Sequence, residues 1–444
     1  MNRILQKVTV VVGILMLRTA LVMRAKLGIV SLFWLYTHRI KGRRTGQSSG
    51  LRILVLAHHE FRGEPEALAL GGAQVFYINP SIQNAYTDYY VKNIKHNIDY
   101  YGVKPHSHTY QCRQRLIQVL NQILPIYYKW LRIDCVLSHD LRAWRNADWG
   151  SISDKLGVAY IILYRETFLI DKKTYDISLT RHKKLKQYLG FDGRAFLVSN
   201  SETKRMLVES QITNPEKIYV TGNSRMDQFV VETQDTNYKA RYDTSAGPVV
   251  LFSTVYRNWI SGDSYEYTDR LHITFAEIAK NNSFNQFIIK FKPAHQTSAY
   301  WLHLKDKLTQ LDLIDLSNMT IDFSTDAHEL IHIAKGVVGV ISTSTLEAAL
   351  AGKWVILPAY KDLQCSPDWV NFGLKNHLHL FNTVIDDNEY RTTLEHLLQS
   401  PIIHSEEVMH ERKVLFERWV STLDGQATKR TLDILQTLCS QSPY

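Results

Sequence analysis

The sequence contains few cysteines, and no two of them are close together. Four occur among the 444 residues: Cys112, Cys135, Cys365 and Cys439. A zinc ribbon or a small disulfide-stabilised fold needs closely spaced or numerous cysteines, so this spacing excludes both. It favours a reducing environment on the cytoplasmic side of the membrane.

Several motifs of metal and nucleotide chemistry are also absent from the sequence. No two aspartates stand two residues apart, so the chain lacks the D-x-D pair that holds a divalent metal on nucleotide phosphates. It has no GxxxxGKS or GxxxxGKT loop, no GxGxxG after a predicted strand and no HExxH. These absences disfavour an ATPase, a classical dinucleotide oxidoreductase and metal-dependent phosphate chemistry. We therefore predict no metal site and no cofactor.

Acidic residues are missing from the first 50 positions. This stretch contains nine Lys and Arg residues, which equals the formal net charge of +9 of the whole chain. The other 43 basic residues are balanced by 43 Asp and Glu residues. A protein surface that follows a nucleic-acid backbone needs an excess of bases, so we do not expect a nucleic-acid partner.

Long uninterrupted apolar runs are missing as well. Two apolar runs, 8–23 and 27–36, are interrupted or separated by basic residues, whereas a helix that crosses about 30 Å of hydrocarbon needs about 20 residues with few charges. Short apolar runs with bases and aromatic residues are typical of helices in the interface of an anionic membrane. We expect residues 1–50 to hold the protein on the cytoplasmic face of the cell membrane, peripherally or monotopically. A cleaved targeting signal and ordinary packing are the alternatives.

From residue 51 onward, short β-branched segments alternate with helix-length segments, which is typical of parallel sheets covered by helices. The predicted strands are Leu51–Ala57, Ile133–Ser138, Val158–Leu163, Ala195–Ser199, Lys217–Val220, Pro248–Phe252, Gln286–Phe291, Met319–Phe323, Gly336–Ile341 and Trp354–Leu357. A polar region, 232–247, separates two such sets.

We therefore predict an α/β fold in which two Rossmann-like domains face a central cleft, preceded by the basic apolar N-terminal segment. A chain of 444 residues exceeds the usual size of one domain. The predicted boundaries are 1–50 for the N-terminal segment and linker, 51–240 for the N-terminal domain, 241–400 for the C-terminal domain and 401–444 for the terminal helices.

A hydroxyl-rich turn follows the strand predicted in the segment VVGVISTSTLEAALAGKWVILP, residues 337–358. Four residues form it as a helix begins: Ser342, Thr343, Ser344 and Thr345. Hydroxyl groups and backbone N–H groups at a helix start bind an anionic phosphate well. Alternatively, Ser344 or Thr345 caps the helix and Glu347 completes a capping box.

A second cluster lies in FIIKFKPAH, residues 287–295, where a strand delivers Lys290, Lys292 and His295 to its carboxyl end. Ligands of parallel α/β sheets bind at that edge, and the hydroxyl-rich turn must lie at the same edge. Two cations and a histidine then converge on a helix start, which predicts a phosphate site. Alternatively, the two lysines are solvated charges at a strand end.

Three segments of the sequence resemble bacterial surface-polysaccharide transferases. They are VTGNSRMDQF at 220–229, KFKPAH at 290–295 and STSTLEAALAGKWVILP at 342–358. From about residue 51 to residue 398 the chain resembles the two-domain nucleotide-sugar transferase fold (GT-B), in particular capsule and lipopolysaccharide glycosyltransferases and CDP-glycerol glycerophosphotransferases. The resemblance implies an acceptor domain followed by a nucleotide-donor domain.

The activity that this resemblance implies is transfer of a sugar or an alditol phosphate. The donor is nucleotide-activated, and the acceptor is a surface glycan or lipid-linked glycan of the capsule, lipopolysaccharide or teichoic-acid kind. Because no D-x-D pair is present, the transferase is predicted to be metal-independent. The anionic membrane surface is a further expected partner.

The resemblance also implies roles for individual residues. The donor phosphates would be held by Lys290, Lys292 and His295, and by Ser342, Thr343, Ser344 and Thr345. Glu347 would reach the ribose or sugar hydroxyls. The residue after His295 is Gln296, where the resembling families have Pro. Three residues near the hinge would face the cleft: Gly222, Arg225 and Asp227. The alternative for these three is a structural turn with an Arg–Asp pair.

Transfer to a hydroxyl needs a base that takes the proton of the attacking oxygen. In this fold the base comes from the N-terminal domain, where these candidates follow predicted strands: His58, His59, Glu60, His139, Asp140, Arg165 and Glu166. Asp140 is the first choice and His59 the second, followed by Glu166.

Two other function classes stay open. A nucleotide-sugar 2-epimerase shares the fold and resembles this chain around STSTLEAALAGK, but the Arg-x-x-Thr-Glu pattern of that class is absent after residue 357. A non-catalytic binding module on a GT-B scaffold is the third class. Release of nucleotide with and without an acceptor separates the three.

Overall fold

The structure is a computed structural model of the chain. It describes residues 2–42, 50–91, 94, 100–141, 143–164, 172–188, 191, 193–234, 247–253, 265–340, 342–365, 369, 372–400 and 404–440. The chain divides into two compact units. The first unit comprises Met1–Thr167, Ile177–Gln228 and Asp424–Tyr444, and the second comprises Phe168–Asp176 and Phe229–Leu423.

The first unit is built on a seven-stranded sheet. Its strands are Thr37–Arg39 (β1), Arg52–Val55 (β2), Gln74–Ile78 (β3), Cys135–Ser138 (β4), Ala159–Tyr164 (β5), Ala195–Val198 (β6) and Ile218–Val220 (β7). They lie in the order β1-β3-β2-β4-β5-β6-β7, and only β1 is antiparallel to its neighbour. β4, β5 and β6 are buried along their whole length, as expected of strands that helices cover on both faces.

Helices alternate with these strands. They are Asn2–Val22 (α1), Lys26–Leu35 (α2), Glu64–Leu70 (α3), Pro80–Tyr90 (α4), His108–Leu131 (α5), Trp144–Lys155 (α6), Lys172–Lys186 (α7), Ser201–Ser210 (α8) and Asp227–Gln234 (α9). α7 and α9 each have residues in both units. α5 and α8 begin where a side chain caps them: Ser107 accepts a hydrogen bond from the N–H of Tyr110, and Asn200 from the N–H of Thr203. Such caps fix where each helix starts.

The N-terminal helices pack on the first unit rather than forming a separate segment. The ring of Phe33 in α2 is fully buried, with centroids 5.1 Å from Tyr86, 5.9 Å from Tyr127 and 5.5 Å from Trp149. The boundary predicted at residue 50 therefore does not separate two bodies in the structure, because aromatic contacts distant in sequence join α2 to the core. Among the described residues, no helix is both long and apolar enough to cross a membrane.

α1 approaches α2 closely at a glycine. A Cβ atom on Gly13 would lie 2.3 Å from the ring of Tyr36, so a larger residue there would displace that ring. The Tyr36 hydroxyl donates a hydrogen bond of 2.7 Å to the carbonyl of Thr9. β1 follows directly and adds one edge to the sheet.

The second unit is built on a six-stranded parallel sheet. Its strands are Val249–Phe252 (β8), Phe287–Lys290 (β9), Met319–Asp322 (β10), Gly336–Val338 (β11), Trp354–Pro358 (β12) and Asn382–Val384 (β13), in the order β10-β9-β8-β11-β12-β13. Its helices are Glu266–Asn281 (α10), Ala299–Gln310 (α11), Ala327–Ile333 (α12), Thr343–Leu350 (α13), Lys361–Cys365 (α14), Asp387–Gln399 (α15) and Glu406–Trp419 (α16). The predicted α/β class with two parallel-sheet domains is confirmed.

A buried arginine ties α16 to this unit. The side chain of Arg412 is almost fully buried, and its Nε and Nη2 donate hydrogen bonds of 2.9 and 2.6 Å to the carbonyl of Leu380. Its Nη1 donates to the carbonyl of Lys353 at 3.2 Å. Burial lowers the pKa of the guanidinium to about 10, which leaves it charged at neutral pH.

The last helix, Ala427–Ser440 (α17), returns to the first unit. The carboxylate of Asp227 accepts hydrogen bonds from the N–H groups of Ala427 (2.9 Å) and Thr428 (2.6 Å). Leu432, Leu435 and Leu438 join the core of the first unit. The terminal helices predicted as one segment, 401–444, are therefore divided, with α16 in the second unit and α17 in the first.

Candidate functional site

The carboxyl edge of the second sheet brings the two predicted phosphate-binding segments together. Lys290 at the end of β9 is paired with Phe252 of β8, and Val338 at the end of β11 is paired with Leu251 of the same strand. β8 therefore stands between the two segments, which separates them by two strand spacings, or about 10 Å. The sequence after β9 and the hydroxyl-rich turn after β11 share one edge.

The hydroxyl-rich turn starts its helix earlier than the capping-box alternative requires. The N-cap of α13 is Ser342, whose Oγ accepts a hydrogen bond of 3.3 Å from the N–H of Ser344. Glu347 is the fifth residue of the helix and lies beyond its first turn. The capping box predicted from Ser344 and Glu347 is therefore wrong, because the chain turns into the helix at Thr343.

The four hydroxyls of this turn do different things. The Thr345 hydroxyl is fully buried and donates a hydrogen bond of 2.9 Å to the carbonyl of Val340. A Cβ atom on Gly339 would lie 2.7 Å from that hydroxyl oxygen. Thr345 therefore holds the loop, while Thr343 and Ser344 are partly exposed at the helix start. Backbone N–H groups of a first helical turn attract an anion placed before them.

Lys290 has a partner in the neighbouring strand. Its Nζ lies 3.2 Å from Oδ1 of Asp322 at the end of β10, and both side chains are largely buried. Burial alone would raise the pKa of the Asp322 carboxyl, but hydrogen bonds from Thr325, Ser324 and Lys290 outweigh it and lower the pKa to about 2. Sequence reasoning missed Asp322, because only the adjacency of β9 and β10 brings it to Lys290.

Lys292 and His295 follow β9 in a short 3₁₀ turn, Pro293–Thr297. Lys292 is exposed, and His295 is half-buried. Burial lowers the pKa of His295, and the charge of Lys292 lowers it further, so the imidazole is neutral at pH 7. Its Nδ1 has no hydrogen-bond partner in the part of the chain that the structure describes. A neutral imidazole donates a hydrogen bond to a phosphate but is a weak source of a proton for a leaving group.

A buried histidine supports the same edge. His272 of α10 is fully buried; its Nδ1 lies 2.6 Å from the carbonyl of Thr268, to which it donates, and its Nε2 accepts a hydrogen bond of 2.8 Å from Ser253. Ser253 directly follows β8, between the two phosphate-binding segments. Burial lowers the pKa of His272 to about 4. His272 was not among the predicted residues, since no local pattern connects it to Ser253.

A cluster of histidine and glutamate side chains surrounds Phe229. His328 of α12 stacks on the Phe229 ring at 4.3 Å, and its Nε2 lies 3.4 Å from the carboxylate of buried Glu347. One helical turn on, Nε2 of His332 lies 3.0 Å from the carboxylate of Glu232. His328 and His332 are four residues apart in the sequence, and this spacing could have indicated that they share one face of a helix. Glu347, predicted to reach sugar hydroxyls, is thus positioned by His328.

The carboxyl edge of the first sheet holds the predicted bases. β2 and β4 are neighbours, and the N–H of Leu56 donates to the carbonyl of Leu137, so the loops after the two strands lie side by side. Asp140 is buried, with about 5% of its surface exposed, whereas His59 is half-exposed with its Nε2 3.4 Å from Glu60. Glu166 lies outside the described residues, as does Arg165.

His58, in the same loop, is paired with a carboxylate. Its Nε2 lies 2.8 Å from the carboxylate of Glu66, and its ring stacks on Tyr77 with centroids 4.2 Å apart. Burial alone would raise the pKa of Glu66, but the hydrogen bond with His58 contributes to a net lowering. His139 packs edge-on against Phe61 at 5.9 Å.

Buried amides fix the loop that carries His58 and His59. Ala57 adopts a left-handed conformation (φ 52°), and its N–H donates a hydrogen bond of 3.0 Å to Gln83. The Gln83 amide donates to Asn146 at 2.8 Å, and the Asn146 amide donates to the Ser138 hydroxyl at 3.0 Å. This chain joins the ends of β2 and β4. Sequence reasoning missed it, because single amides on two helices carry no motif.

The turn with Gly222, Arg225 and Asp227 lies in the first unit. Gly222 has a φ of +83°, which favours glycine. The Arg225 Nε lies 3.9 Å from the buried carboxylate of Glu64, while Asp227 caps α17. The predicted alternative of an Arg–Asp pair is replaced by two separate contacts.

Within the described residues, no three His, Cys, Asp or Glu side chains lie close enough together to hold a metal ion. Metal independence stays a prediction, which chelation tests.

The fold is similar to that of solved enzymes of the GT-B type, although no protein family model and no curated protein matches the sequence. One neighbour is a Listeria monocytogenes protein assigned as a UDP-N-acetylglucosamine 2-epimerase, with 12% identity, a TM-score of 0.52 and coverage of 87% of this chain and 96% of that one. Another is a variant of the wall teichoic acid polymerase TagF, with 14% identity, a TM-score of 0.50 and coverage of 98% and 99%. At this identity the likeness concerns the fold. The chain is thus similar in fold to the GT-B enzymes that its motifs resemble.

Proposed function

We propose that this protein is a transferase that moves a sugar or an alditol phosphate from a nucleotide-activated donor to a surface glycan acceptor of the capsule, lipopolysaccharide or teichoic-acid kind. The observation that carries the proposal is the shared edge of the second sheet. There, exposed Lys292 and neutral His295 lie two strand spacings from the start of α13. A cation, an imidazole and a helix start together suit a phosphate group.

The donor phosphates would bind at this edge in two parts. Thr343, Ser344 and the N–H groups of the first turn of α13 receive one phosphate, and Lys292 with His295 receives the other. Lys290 is already paired with Asp322, so it contributes mainly by fixing the end of β9. As the bond to the nucleotide breaks, negative charge grows on the departing phosphate, and fixed positive groups stabilise it without a metal.

The acceptor hydroxyl needs a base. We assign this role to Asp140, with His59 and Glu166 as the alternatives. The acceptor oxygen forms a bond to the donor carbon or phosphorus, its proton passes to the base, and the nucleotide leaves with the electron pair of the broken bond. Asp140 is held at the end of β4, where the Ser138 hydroxyl donates a hydrogen bond of 3.4 Å to its backbone carbonyl.

The likeness in fold to TagF supports a transferase that acts on a wall polymer, and the likeness to the Listeria monocytogenes protein supports a second candidate, a nucleotide-sugar 2-epimerase. An epimerase changes its sugar without an acceptor. The transferase is preferred because the segment after β12, Ala359–Leu363, lacks the Arg-x-x-Thr-Glu pattern of the epimerases. A non-catalytic module is the remaining alternative.

The test is release of free nucleotide from CMP-, CDP- and UDP-linked donors, with and without a glycan acceptor. A transferase releases nucleotide at a rate that rises with acceptor concentration. An epimerase converts the sugar with no acceptor present, and a binding module does neither. Donor affinity is measured in parallel, so that a missing acceptor is distinguished from an unsuitable donor.

A further inference from the structure

The outward face of the N-terminal helices carries an apolar stripe, which exposed Arg18 and Thr19 interrupt on α1. On α1 the exposed apolar residues recur every three or four positions, which places them on one face of the helix. Each has 47–72% of its surface exposed: Val8, Val11, Val12, Leu15, Met16, Val22 and Met23, the last of which directly follows the helix. On α2 three more are exposed: Leu27, Trp34 and Leu35. We call these ten residues the apolar stripe. Elsewhere in the described chain, exposed large apolar side chains are spread over many elements.

The opposite face of the same helices is buried against the first unit. Leu17 and Leu21 of α1 are buried, and so are Val30 and Phe33 of α2. α1 therefore lies flat on the protein, with one face in the core and the other turned outward. A helix with two apolar faces, of which only one is covered by its own unit, has a second apolar environment to occupy.

The charges around the apolar stripe indicate what that environment is. Five exposed bases lie on or next to the two helices: Arg18, Arg24, Lys26, Arg39 and Lys41. No Asp or Glu occurs in the first 50 residues. A symmetric contact with a second copy of the chain would bring these cations face to face and repel. An anionic lipid surface offers an acyl layer for the stripe and negative headgroups for the bases.

We infer that the apolar stripe lies in the boundary between headgroups and acyl chains of an anionic membrane, with α1 parallel to the membrane plane. Trp34 sits at the headgroup level, where its ring is favourable. This placement puts the first unit against the cytoplasmic leaflet.

The experiment mixes the full-length protein with vesicles of phosphatidylcholine alone, or of phosphatidylcholine and phosphatidylglycerol in equal parts. The sedimented fraction should be much larger with the anionic vesicles and should fall as salt is added. Leu15→Asp should lower the partition coefficient about tenfold or more, since it puts a charge in the acyl boundary. The matched control is Leu302→Asp in the second unit, because Leu302 is 56% exposed and Leu15 is 57% exposed.

A second measurement does not depend on the aspartate variants being folded. Lipids with brominated acyl chains should quench the fluorescence of Trp34, so Trp34→Phe should remove most of the quenching, while Trp130→Phe should leave it unchanged. Trp34 is 53% exposed and Trp130 is 47% exposed. The inference would be overturned if Leu15→Asp and Leu302→Asp lowered vesicle binding equally, or if Trp34→Phe and Trp130→Phe lowered the quenching equally. Equal sedimentation with neutral and anionic vesicles would also overturn it. The inference would also be overturned if the protein did not bind vesicles but formed a dimer that Leu15→Asp dissociates, since a second copy would then cover the stripe.

Discussion

The carboxyl edges of the two sheets occupy the same place in a parallel α/β sheet but differ in chemistry. The second edge presents Lys292, neutral His295 and the start of α13, a set that attracts negative charge. The first edge presents buried Asp140 and half-exposed His59, the first two candidates for the base of the proposed reaction. Ligands of parallel α/β sheets generally bind at the carboxyl edge of the sheet. The few residues that follow each strand decide which chemistry that edge can perform.

The two edges are also held in different ways. In the second sheet an ion pair, Lys290 with Asp322, and a neutral buried histidine, His272, fix the strand ends. In the first sheet the neutral amides of Gln83 and Asn146 do so. Amides do not titrate, whereas His272 does. Acid should therefore weaken the contacts that hold the second edge and leave the amide contacts of the first edge unchanged.

The largest effect is expected when the base of the first edge is removed. Asp140→Asn keeps the size of the side chain but cannot take a proton, so turnover should fall about a hundredfold or more while donor affinity changes little. The measurement is kcat for acceptor-dependent nucleotide release, with donor affinity from calorimetry. His59→Gln serves as the comparison, and normal turnover of Asp140→Asn would transfer the assignment to His59 or Glu166.

A smaller effect is expected at the second edge. Lys292→Ala and Ser344→Ala should each weaken nucleotide binding by about 1–3 kcal/mol, the usual cost of a lost charge-assisted hydrogen bond. Lys280→Ala, at an exposed position on α10, is the matched control and should bind normally. If folded Lys292→Ala and Ser344→Ala proteins bind nucleotide as tightly as the parent, the turn is only a helix start.

The smallest effect concerns acid stability. The pKa of His272 is about 4 in the folded chain and 6.5 in its unfolded reference. Unfolding therefore takes up a proton as the pH falls below 6.5, and the free energy of unfolding should drop by about 1 kcal/mol between pH 7 and about pH 5.5. Urea unfolding at both pH values measures this drop. His272→Gln should reduce it and exposed His396→Gln should not; an identical drop in all three proteins would contradict the assignment.

The strand pattern was predictable because parallel strands buried on both faces are short apolar runs between polar loops. Each predicted strand is present, within a few residues at its ends. β1, β3 and β13 were missed. β1 and β13 have three residues each and lie at sheet edges, so neither carries a long apolar run.

The contacts that position the candidate site were less predictable. The capping of α17 by Asp227 joins residues 200 positions apart, and the pairing of Lys290 with Asp322 depends on which strands are neighbours. The start of α13 at Thr343 differs by two residues from the start implied by a capping box. Local sequence fixes which residues follow each strand, whereas strand order and helix docking decide what those residues contact.

The most direct test of the account is acceptor-dependent nucleotide release in excess EDTA. In the proposed mechanism Lys292 and the start of α13 neutralise the departing nucleotide, and neutral His295 donates a hydrogen bond to it. The wild-type rate should therefore persist in EDTA, and Lys292→Ala should lower it under the same conditions. Release that is abolished by the chelator and restored by Mg²⁺ or Mn²⁺ would contradict the claim that the protein's own groups neutralise the departing nucleotide.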